Sequence, residues 1–317
     1  MFSRIAPARK TAAVVVALSA RTSYTPEEET AFRHLRRVLG HHDIYALIPE
    51  DHPAIYPGFL PKRFPQRYFG TPEAHGRLLL SERFYRAFLD YEFILIYHLD
   101  ALVFTDELRE WCDAGYDYLG APWLLSPDTP YVTESKVGNG GFSLRRVRAF
   151  LRVINSTRHF VDPDEYWRAY CARTPKAAQL VNWPRKLLKR YRYFNDVRRH
   201  IRWALDADVH EDRFWAEHAT HYDPEFRIAP VDVAMRFAFE AEPRRCFESI
   251  GRLPFGCHRW TRFDRAFYEP FLLRDGPGSE VRLSTTRDAR RTWNEDQWVG
   301  TRDAAPVGMA ADVGPRG

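Results

Sequence analysis

Three separated stretches of this sequence carry carboxylate or imidazole side chains that could bind a cation or act on a substrate. Asp100 ends the stretch YEFILIYHLDALVF, in which residues 93–97 form the short β-branched and aromatic run typical of a buried strand. Ligands of open α/β sheets lie beyond the carboxyl ends of the strands, so His98, Leu99 and Asp100 fall where a ligand would bind. An aspartate there can hold a cation or a hydroxyl, but it can equally cap the turn into a following helix.

Two further acids and the imidazole lie much later in the chain. Asp208 and Glu211 have the spacing of a capping box, and Glu211 and Asp212 sit in a first helical turn, where the dipole favours negative charge. This structural explanation of the acids is complete, yet a helix start is also a rigid mount for a carboxylate aimed into a cleft. His258 lies in LPFGCHRW; a lone histidine is more often a hydrogen-bonded structural residue than a ligand.

A glycine-rich stretch, VGNGGFSLR, lies between these acids in the sequence. Gly138, Gly140 and Gly141 would let the backbone approach a ligand closely, and residues 142–144 resume a strand. The stretch lacks the spacing of a dinucleotide fingerprint or a P-loop. A hairpin turn would use the same residues, so both interpretations stay open.

The elements that must position these side chains have the pattern of a mostly parallel α/β sheet. Residues 11–19 predict a first strand and residues 43–48 a second, with a helix between them that starts at a capping box on Thr25 and stops at Gly40. Prolines and glycines predict irregular loop over residues 53–72, and residues 81–90 predict a short helix. The strand ends near Ser19 and Pro49 should then share one edge of the sheet with Asp100.

Length and composition indicate a globular protein with a large core. The chain has 317 residues, 45% of them hydrophobic, a net charge of +5 and a pI near 9.0, which favours anionic partners. Its four cysteines form no CxxC pair and no zinc spacing, which predicts free thiols. No run reaches the roughly 18 apolar residues of a membrane span, and the apolar N-terminal segment is interpreted as a strand rather than a signal peptide, so a cytoplasmic location is expected.

A basic segment between Arg185 and Arg202 contains eight lysines or arginines interleaved with aromatic and aliphatic residues. It predicts one amphipathic helix, either a solvated face or a peripheral contact with the anionic inner face of a membrane, where a lipid-linked acceptor would be found. A membrane or nucleic-acid adaptor built on this helix is an alternative function. No nucleic-acid-binding motif accompanies it, so no nucleic-acid partner is expected.

Five stretches taken in order resemble one known family: YEFILIYHLDALVF, YDYLGAPW, VGNGGFSLR, HEDRFW and PFGCHRW. That family is the glycosyltransferase-like group catalogued as domain of unknown function 5672, whose members look like GT-A glycosyltransferases. The resemblance implies a GT-A-like, Rossmann-like α/β domain over residues 11–273. Its central sheet should be mixed, mostly parallel and flanked by helices, with a helical insertion at about 150–207. Residues 275–317 have the composition of a disordered tail.

The resemblance also implies a reaction, the transfer of a sugar from a nucleotide-sugar donor to a hydroxyl of a saccharide or glycolipid acceptor in surface polysaccharide or glycan biosynthesis. Asp100 matches the last acid of the DxD motif that holds a divalent cation against the donor diphosphate, and His258 matches the late histidine that often completes its coordination. Asp212 matches the base of inverting enzymes, with Glu211 as second candidate. The implied donor-binding residues are Ser19, His98, Asp100, Gly138, Asn139, Gly140 and Gly141.

One position departs from the family pattern, because His98 stands where the first DxD aspartate would be. Imidazole suits softer ions than Mg²⁺, so the cation expected is Mn²⁺ rather than Mg²⁺, and metal independence stays open. The missing acid also keeps a second alternative function open, that of a non-catalytic nucleotide-sugar-binding protein.

Overall fold

The computed structural model describes residues 9–18, 21, 23–53, 56–130 and 132–273. Its strands are β1 (Lys10–Ala17), β2 (Asp43–Pro49), β3 (Leu60–Phe64), β4 (Tyr91–Tyr97), β5 (Leu102–Val103), β6 (Tyr118–Gly120), β7 (Pro122–Trp123), β8 (Lys136–Val137), β9 (Phe142–Arg146), β10 (Ala238–Phe239) and β11 (Gly256–Cys257). Ser19 and the predicted tail at 275–317 lie outside the described residues.

Twelve α-helices are present in the described part of the chain. They are α1 (Pro26–Leu39), α2 (Pro72–Leu79), α3 (Glu82–Arg86), α4 (Leu108–Asp113), α5 (Val147–Ile154), α6 (Pro163–Arg173), α7 (Lys176–Arg190), α8 (Val197–Asp206), α9 (Glu211–Tyr222), α10 (Val231–Phe237), α11 (Pro243–Ile250) and α12 (Trp260–Tyr268). Short 3₁₀ turns cover Gln66–Tyr68, Arg192–Phe194 and Glu269–Phe271.

Six strands form the central sheet in the order β3-β2-β1-β4-β9-β6. β3, β2, β1 and β4 pair in parallel, whereas β9 runs antiparallel to both β4 and β6. The prediction of a mixed, mostly parallel sheet flanked by helices is therefore confirmed. The carboxyl ends of β1, β2 and β4 lie at one edge, as the predicted β-α-β opening requires.

The apolar runs of the sheet are continuous because both faces are covered. Val14 and Val16 of β1 pack into one core layer, which includes α1 and β11, while Val15 packs into another, which includes α2, α5 and α9. β4 divides its side chains in the same way, with Leu95 in the first layer and Ile96 in the second. A strand buried on both sides cannot show hydrophobic alternation, which explains the unbroken runs in the sequence.

A small second sheet carries the late histidine motif towards the end of β4. β11 lies between β10, to which it is parallel, and β5, to which it is antiparallel. β5 begins two residues after Asp100, so its antiparallel pairing with β11 places Asp100, before β5, near His258, after β11. The backbone amide of Trp260 donates to the carbonyl of Asp100 at 3.2 Å and fixes that proximity.

Three predictions about local structure are wrong. Residues 53–72 are not wholly irregular, because β3 adds an edge strand parallel to β2. Pro61 is tolerated there since an edge strand need not donate all of its amides. The second error is the capping box predicted for Asp208 and Glu211. Helix α9 begins at Glu211 with His210 as its N-cap, and Asp208 lies before it with a left-handed φ of +55°.

The third error concerns the basic segment, which is two helices rather than one. α7 ends at Arg190 and α8 begins after the N-cap Asp196. The buried Asn195 occupies the break; its side-chain amide donates to the carbonyls of Val161 and Lys189. α8 packs into the second core layer, whereas α7 buries none of its residues. The limits predicted for a helical insertion stay a prediction.

Within the described residues, no helix combines the length and apolar character needed to cross a bilayer. The cysteines Cys112, Cys171, Cys246 and Cys257 are free, as predicted.

Candidate functional site

His98, Asp100 and His258 form a cluster beyond the carboxyl end of β4, which we call the His-Asp-His group. One potential ligand atom from each side chain lies within 4.8 Å of the other two. Nε2 of His258 lies 3.2 Å from Oδ1 of Asp100, without the alignment of a hydrogen bond. Nε2 of His98 is also buried and has no hydrogen-bond partner. Two unpartnered imidazole nitrogens and a carboxylate oxygen are the kind of donor set that binds a divalent transition-metal ion.

Glu240 supports this group from behind and was missed by the sequence analysis. Its Oε1 accepts hydrogen bonds from Nδ1 of His258, at 3.0 Å, and from the side-chain amide of Asn139, at 2.8 Å. A carboxylate on one imidazole nitrogen fixes the tautomer and directs the other nitrogen at a ligand, which is how metal-binding histidines are commonly held. Glu240 is 4% exposed, so water contributes little to satisfying its charge.

The buried members of the group shift one another's pKa values. Burial alone would lower the pKa of His258, but Asp100 and Glu240 together raise it to about 9. Burial would raise the pKa of Asp100, yet the neighbouring His258 imidazole holds it below its usual value. Burial, with the nearby His75 and His258, lowers the pKa of His98 well below its usual range. His98 is thus neutral at pH 7, the state in which an imidazole can act as a ligand.

A glycine loop, which we define as residues 138–141, separates this group from the acids of α9. A methyl group on Gly141 would lie 2.0 Å from Nε2 of His258, and one on Gly140 would lie 2.4 Å from Oε1 of Glu211. Any larger side chain would therefore collide with one side of the site or the other. The loop is fixed by Oδ1 of Asn139, which accepts the amide of Gly141 at 3.0 Å.

The two acids at the start of α9 have different environments. Glu211 receives two hydrogen bonds from the guanidinium of Arg145, at 2.9 and 3.1 Å, and Arg145 is completely buried. Asp212 has only the amide of Arg213, donating to its Oδ1 at 2.8 Å, among the described hydrogen bonds of its side chain. Burial and the charge of Glu211 raise the pKa of Asp212 to about 6. A carboxylate with that pKa, near neutral pH, can accept a proton more readily than an ordinary aspartate.

The site residues predicted from the sequence fall into three groups: those that come together, those that only shape the loop, and one outside the described residues. His98, Asp100 and His258 come together, and Gly140 lies between them and the pair Glu211 and Asp212. Gly138 packs on the indole of Trp123. Asn139 is 3% exposed, and its side chain donates to Glu240 and accepts the amide of Gly141. Ser19 lies outside the described residues.

His75 and Arg145 also belong to this region. His75, on α2, has its ring centroid 5.4 Å from that of His98, and its Nε2 is buried with no hydrogen-bond partner. Burial lowers the pKa of His75 to about 4. Arg145 was visible as the end of VGNGGFSLR, but only its burial beside Glu211 reveals its role; nothing in the local sequence around His75 or Glu240 points to the site.

Two cavities in the described part of the molecule lie elsewhere. One of about 300 Å³ is lined by residues that include Ser156, Arg192 and Arg198. The other, of about 590 Å³, has Asp117, Arg146 and Arg152 in its wall, where the aspartate pairs with both arginines. The full lining of the second cavity has three arginines and two acids, and it contains none of the predicted site residues.

Comparison with protein-family models identifies one family. The chain belongs to the family described as a protein of unknown function, DUF5672, which matches residues 59–258. The family expected from the sequence is therefore confirmed. No curated protein matches the chain.

Several solved glycosyltransferase structures are similar to this one. The apo form of glycosyltransferase GlyE from Streptococcus pneumoniae is 13% identical with a TM-score of 0.39; the match covers 84% of this chain but only 61% of GlyE. The galactosyltransferase LgtC, solved with donor and acceptor sugar analogs, is 11% identical with a TM-score of 0.41, covering 78% and 86% of the two chains. Mouse xyloside xylosyltransferase 1 is 11% identical with a TM-score of 0.40, covering 79% and 97%.

Proposed function

We propose that this protein is a glycosyltransferase that moves a sugar from a nucleotide-sugar donor to a hydroxyl of a saccharide or lipid-linked acceptor, with inversion at the sugar carbon. The observation that carries the proposal is the arrangement around the glycine loop. The His-Asp-His group lies against Gly141, and the acids of α9 lie against Gly140. A cation site and a proton acceptor on either side of the glycine loop are what a donor diphosphate and an acceptor hydroxyl require.

The His-Asp-His group and Glu240 fit a divalent cation. His98, Asp100 and His258 would hold it, and Glu240 would orient His258 through Nδ1. Such a cation would stabilise the negative charge that grows on the departing diphosphate. Two imidazoles and one carboxylate favour Mn²⁺ over Mg²⁺, since Mg²⁺ prefers oxygen ligands.

Asp212 is the proposed base. In the transfer step the acceptor oxygen forms a bond to the sugar carbon, the bond from that carbon to the diphosphate oxygen breaks, and the hydroxyl proton passes to Asp212. Glu211 is the weaker candidate because Arg145 already occupies both of its oxygens. Asn139 is proposed to shape the donor site through the loop it fixes rather than through contact by its own side chain.

The proposal is tested by a thermal-shift panel of nucleotide sugars, each with Mn²⁺, with Mg²⁺ and with a chelator, followed by a transfer assay with the donor that stabilises most. We expect one class of nucleotide sugar to raise Tm in the presence of Mn²⁺ and to be consumed when a saccharide acceptor is supplied. Stabilisation without transfer or hydrolysis for any acceptor would instead indicate a nucleotide-sugar-binding protein. No stabilisation by any nucleotide sugar would overturn the proposal.

A further inference from the structure

The large apolar residues of helix α7 are exposed, whereas its half-buried positions are mostly polar. The half-buried positions of α7 are polar residues and one alanine: Ala178, Gln179, Asn182, Lys186 and Lys189. Spacing of three or four residues places them on one helical face. That face meets α6, where Gln179 donates to the carbonyls of Cys171 and Thr174 and Lys189 lies over the ring of Tyr166.

The opposite face of α7 is apolar and open, and we call it the outer face of α7. Its side chains, with their exposed fractions, are Leu180 (78%), Val181 (77%), Trp183 (52%), Leu187 (42%), Leu188 (42%) and, just after the helix, Tyr191 (63%). Leu180, Leu187 and Tyr191 align along one line of the helix, with the others beside them. A globular protein normally buries such a stripe, and a contiguous exposed one marks an interaction surface.

The charge around this face identifies the kind of partner. Between residues 174 and 195 the sequence contains six basic residues and no aspartate or glutamate. Lys186 and Lys189 lie on the face that meets α6, so the exposed basic residues beside the outer face are Lys176, Arg185, Arg190 and Arg192. A second copy of the chain would bring the same positive charge against this face and would be repelled. An anionic bilayer instead supplies both negative headgroups for the basic residues and an apolar interior for the leucines and the tryptophan.

The hairpin of α6 and α7 is fixed firmly enough to present this face. The amide of Phe160 donates to the carbonyl of Asn195 at 2.7 Å, and the amide of Val161 donates to Oδ1 of Asn195 at 3.0 Å. Arg190 pairs with Asp164 across the hairpin. Asn195 thus joins the two ends of the hairpin, beside α8, which packs against α2 and α9 of the site.

We infer that the outer face of α7 docks this protein on an anionic phospholipid bilayer, with Leu180, Trp183 and Leu187 entering the interface between headgroups and acyl chains. This surface differs from the basic helix expected from Arg185 to Arg202, because its most exposed apolar residues precede Arg185. The inference goes beyond sugar transfer and does not depend on it.

Vesicle flotation of the full chain tests the inference without donor or acceptor present, so its result is independent of transferase activity. We expect the protein to float with vesicles of phosphatidylcholine and phosphatidylglycerol, and several-fold less with phosphatidylcholine alone. The triple variant Leu180→Gln, Val181→Gln, Leu187→Gln should reduce the floated fraction at least about fivefold. The matched control Leu125→Gln changes a leucine that is 57% exposed elsewhere and should float like the unchanged protein.

If circular dichroism shows that the triple variant folds poorly, the same flotation assay is made with a second variant, Trp183→Gln with Leu188→Gln. Unchanged flotation in whichever variant is folded, or no flotation of the unchanged protein with anionic vesicles, would overturn the inference. Self-association that the same variants abolish, measured by sedimentation without lipid, would assign the face to a second copy of the chain instead.

Discussion

Asp212 and Glu211 are neighbours in one helical turn, yet they are suited to different tasks. The bidentate pair with Arg145 fixes the position of the Glu211 carboxylate, whereas Asp212 has a raised pKa and few competing hydrogen bonds. The fixed charge of Glu211 is also one cause of the raised pKa of its neighbour. The two neighbouring acids therefore differ in environment, and Asp212 is the one whose pKa is raised towards neutral pH.

Asp212→Asn should leave donor binding nearly unchanged and lower the single-turnover rate of transfer by about two orders of magnitude or more, because the proton acceptor is removed. Rapid-quench measurement with saturating donor checks this. Asp206→Asn, on an exposed residue at the end of α8, is the matched control and should keep full activity. A fully active Asp212→Asn enzyme would remove Asp212 from the mechanism.

The pH dependence of the same rate gives an independent check. A base must be deprotonated to act, so with a pKa of about 6 the rate should rise about tenfold per pH unit below pH 6 and level off above it. The residual activity of Asp212→Asn should not show this rise of the rate with pH. If the rise persisted in that variant, another group would be responsible for the titration.

Glu240→Gln should weaken Mn²⁺ binding about 10- to 100-fold, since the charged partner of His258 is lost while the size of the side chain is kept. Isothermal titration calorimetry with Mn²⁺ alone measures this without the need for donor. Glu248→Gln, on the exposed side of α11, supplies the control. Equal Mn²⁺ affinity in both variants would mean that Glu240 does not support a cation site.

At the scale of elements, the glycines of the glycine loop allow His258 and α9 to lie close to the backbone between them. Gly141→Ala should disrupt the site because the new methyl group would lie 2.0 Å from Nε2 of His258. We expect at least about a tenfold loss of Mn²⁺ affinity or transfer rate, in line with the sensitivity of metal sites to displaced ligands.

Gly76→Ala makes the same chemical change nearby and should be harmless. Gly76 lies inside α2, and a methyl group there would meet only Cβ of Glu211, at an ordinary contact distance of 3.8 Å. It should stabilise the protein by up to about 1 kcal/mol through helix propensity. If Gly141→Ala behaved like Gly76→Ala in binding and activity, the proposed role of the loop would be wrong.

The sequence predicted the elements whose signals are local. β1 and β4 were predicted because both faces of each strand are buried, and the start of α1 because Thr25 and Glu28 form a capping box. β3 was missed because an edge strand tolerates proline, and the break at Asn195 was missed because it depends on contacts with Val161, distant in sequence.

The site residues divide in the same way, into those with a local sequence signal and those that depend on contacts distant in sequence. Asp100 could be found from its place after a buried strand, while His258 and Asp212 depended on the family resemblance. Glu240 could not be found, because its importance comes from the pairing of β10 with β11, which places it beside His258 and Asn139. Two-residue strands leave no periodicity for a sequence pattern to reveal.

At the scale of the whole molecule, the site lies where the two core layers meet at the carboxyl edge of the sheet. His258 follows β11, whose Cys257 packs into the first layer, while Phe214 and Trp215 anchor α9 in the second. His258, a proposed cation ligand, and Asp212, the proposed base, are thus carried by elements that pack on opposite faces of the central sheet. Their relative position depends on the packing of the entire domain. Burying the Asp212 carboxyl group in this site should lower global stability where the group is ionised.

This cost can be measured at Asp212. Its pKa is about 6 in the folded protein and 3.8 in an unfolded chain, so between these values the folded state holds more protons and stability falls as pH rises. Asn cannot ionise and keeps an oxygen for the amide of Arg213. Asp212→Asn should therefore increase the free energy of unfolding by on the order of 2 kcal/mol at pH 8, with partial solvent screening included, and have little effect near pH 4. Urea denaturation at both pH values, with Asp206→Asn as control, measures the difference. An equal effect of Asp212→Asn at both pH values would show that the carboxyl group is not held at a raised pKa, and would weaken the case for it as a base.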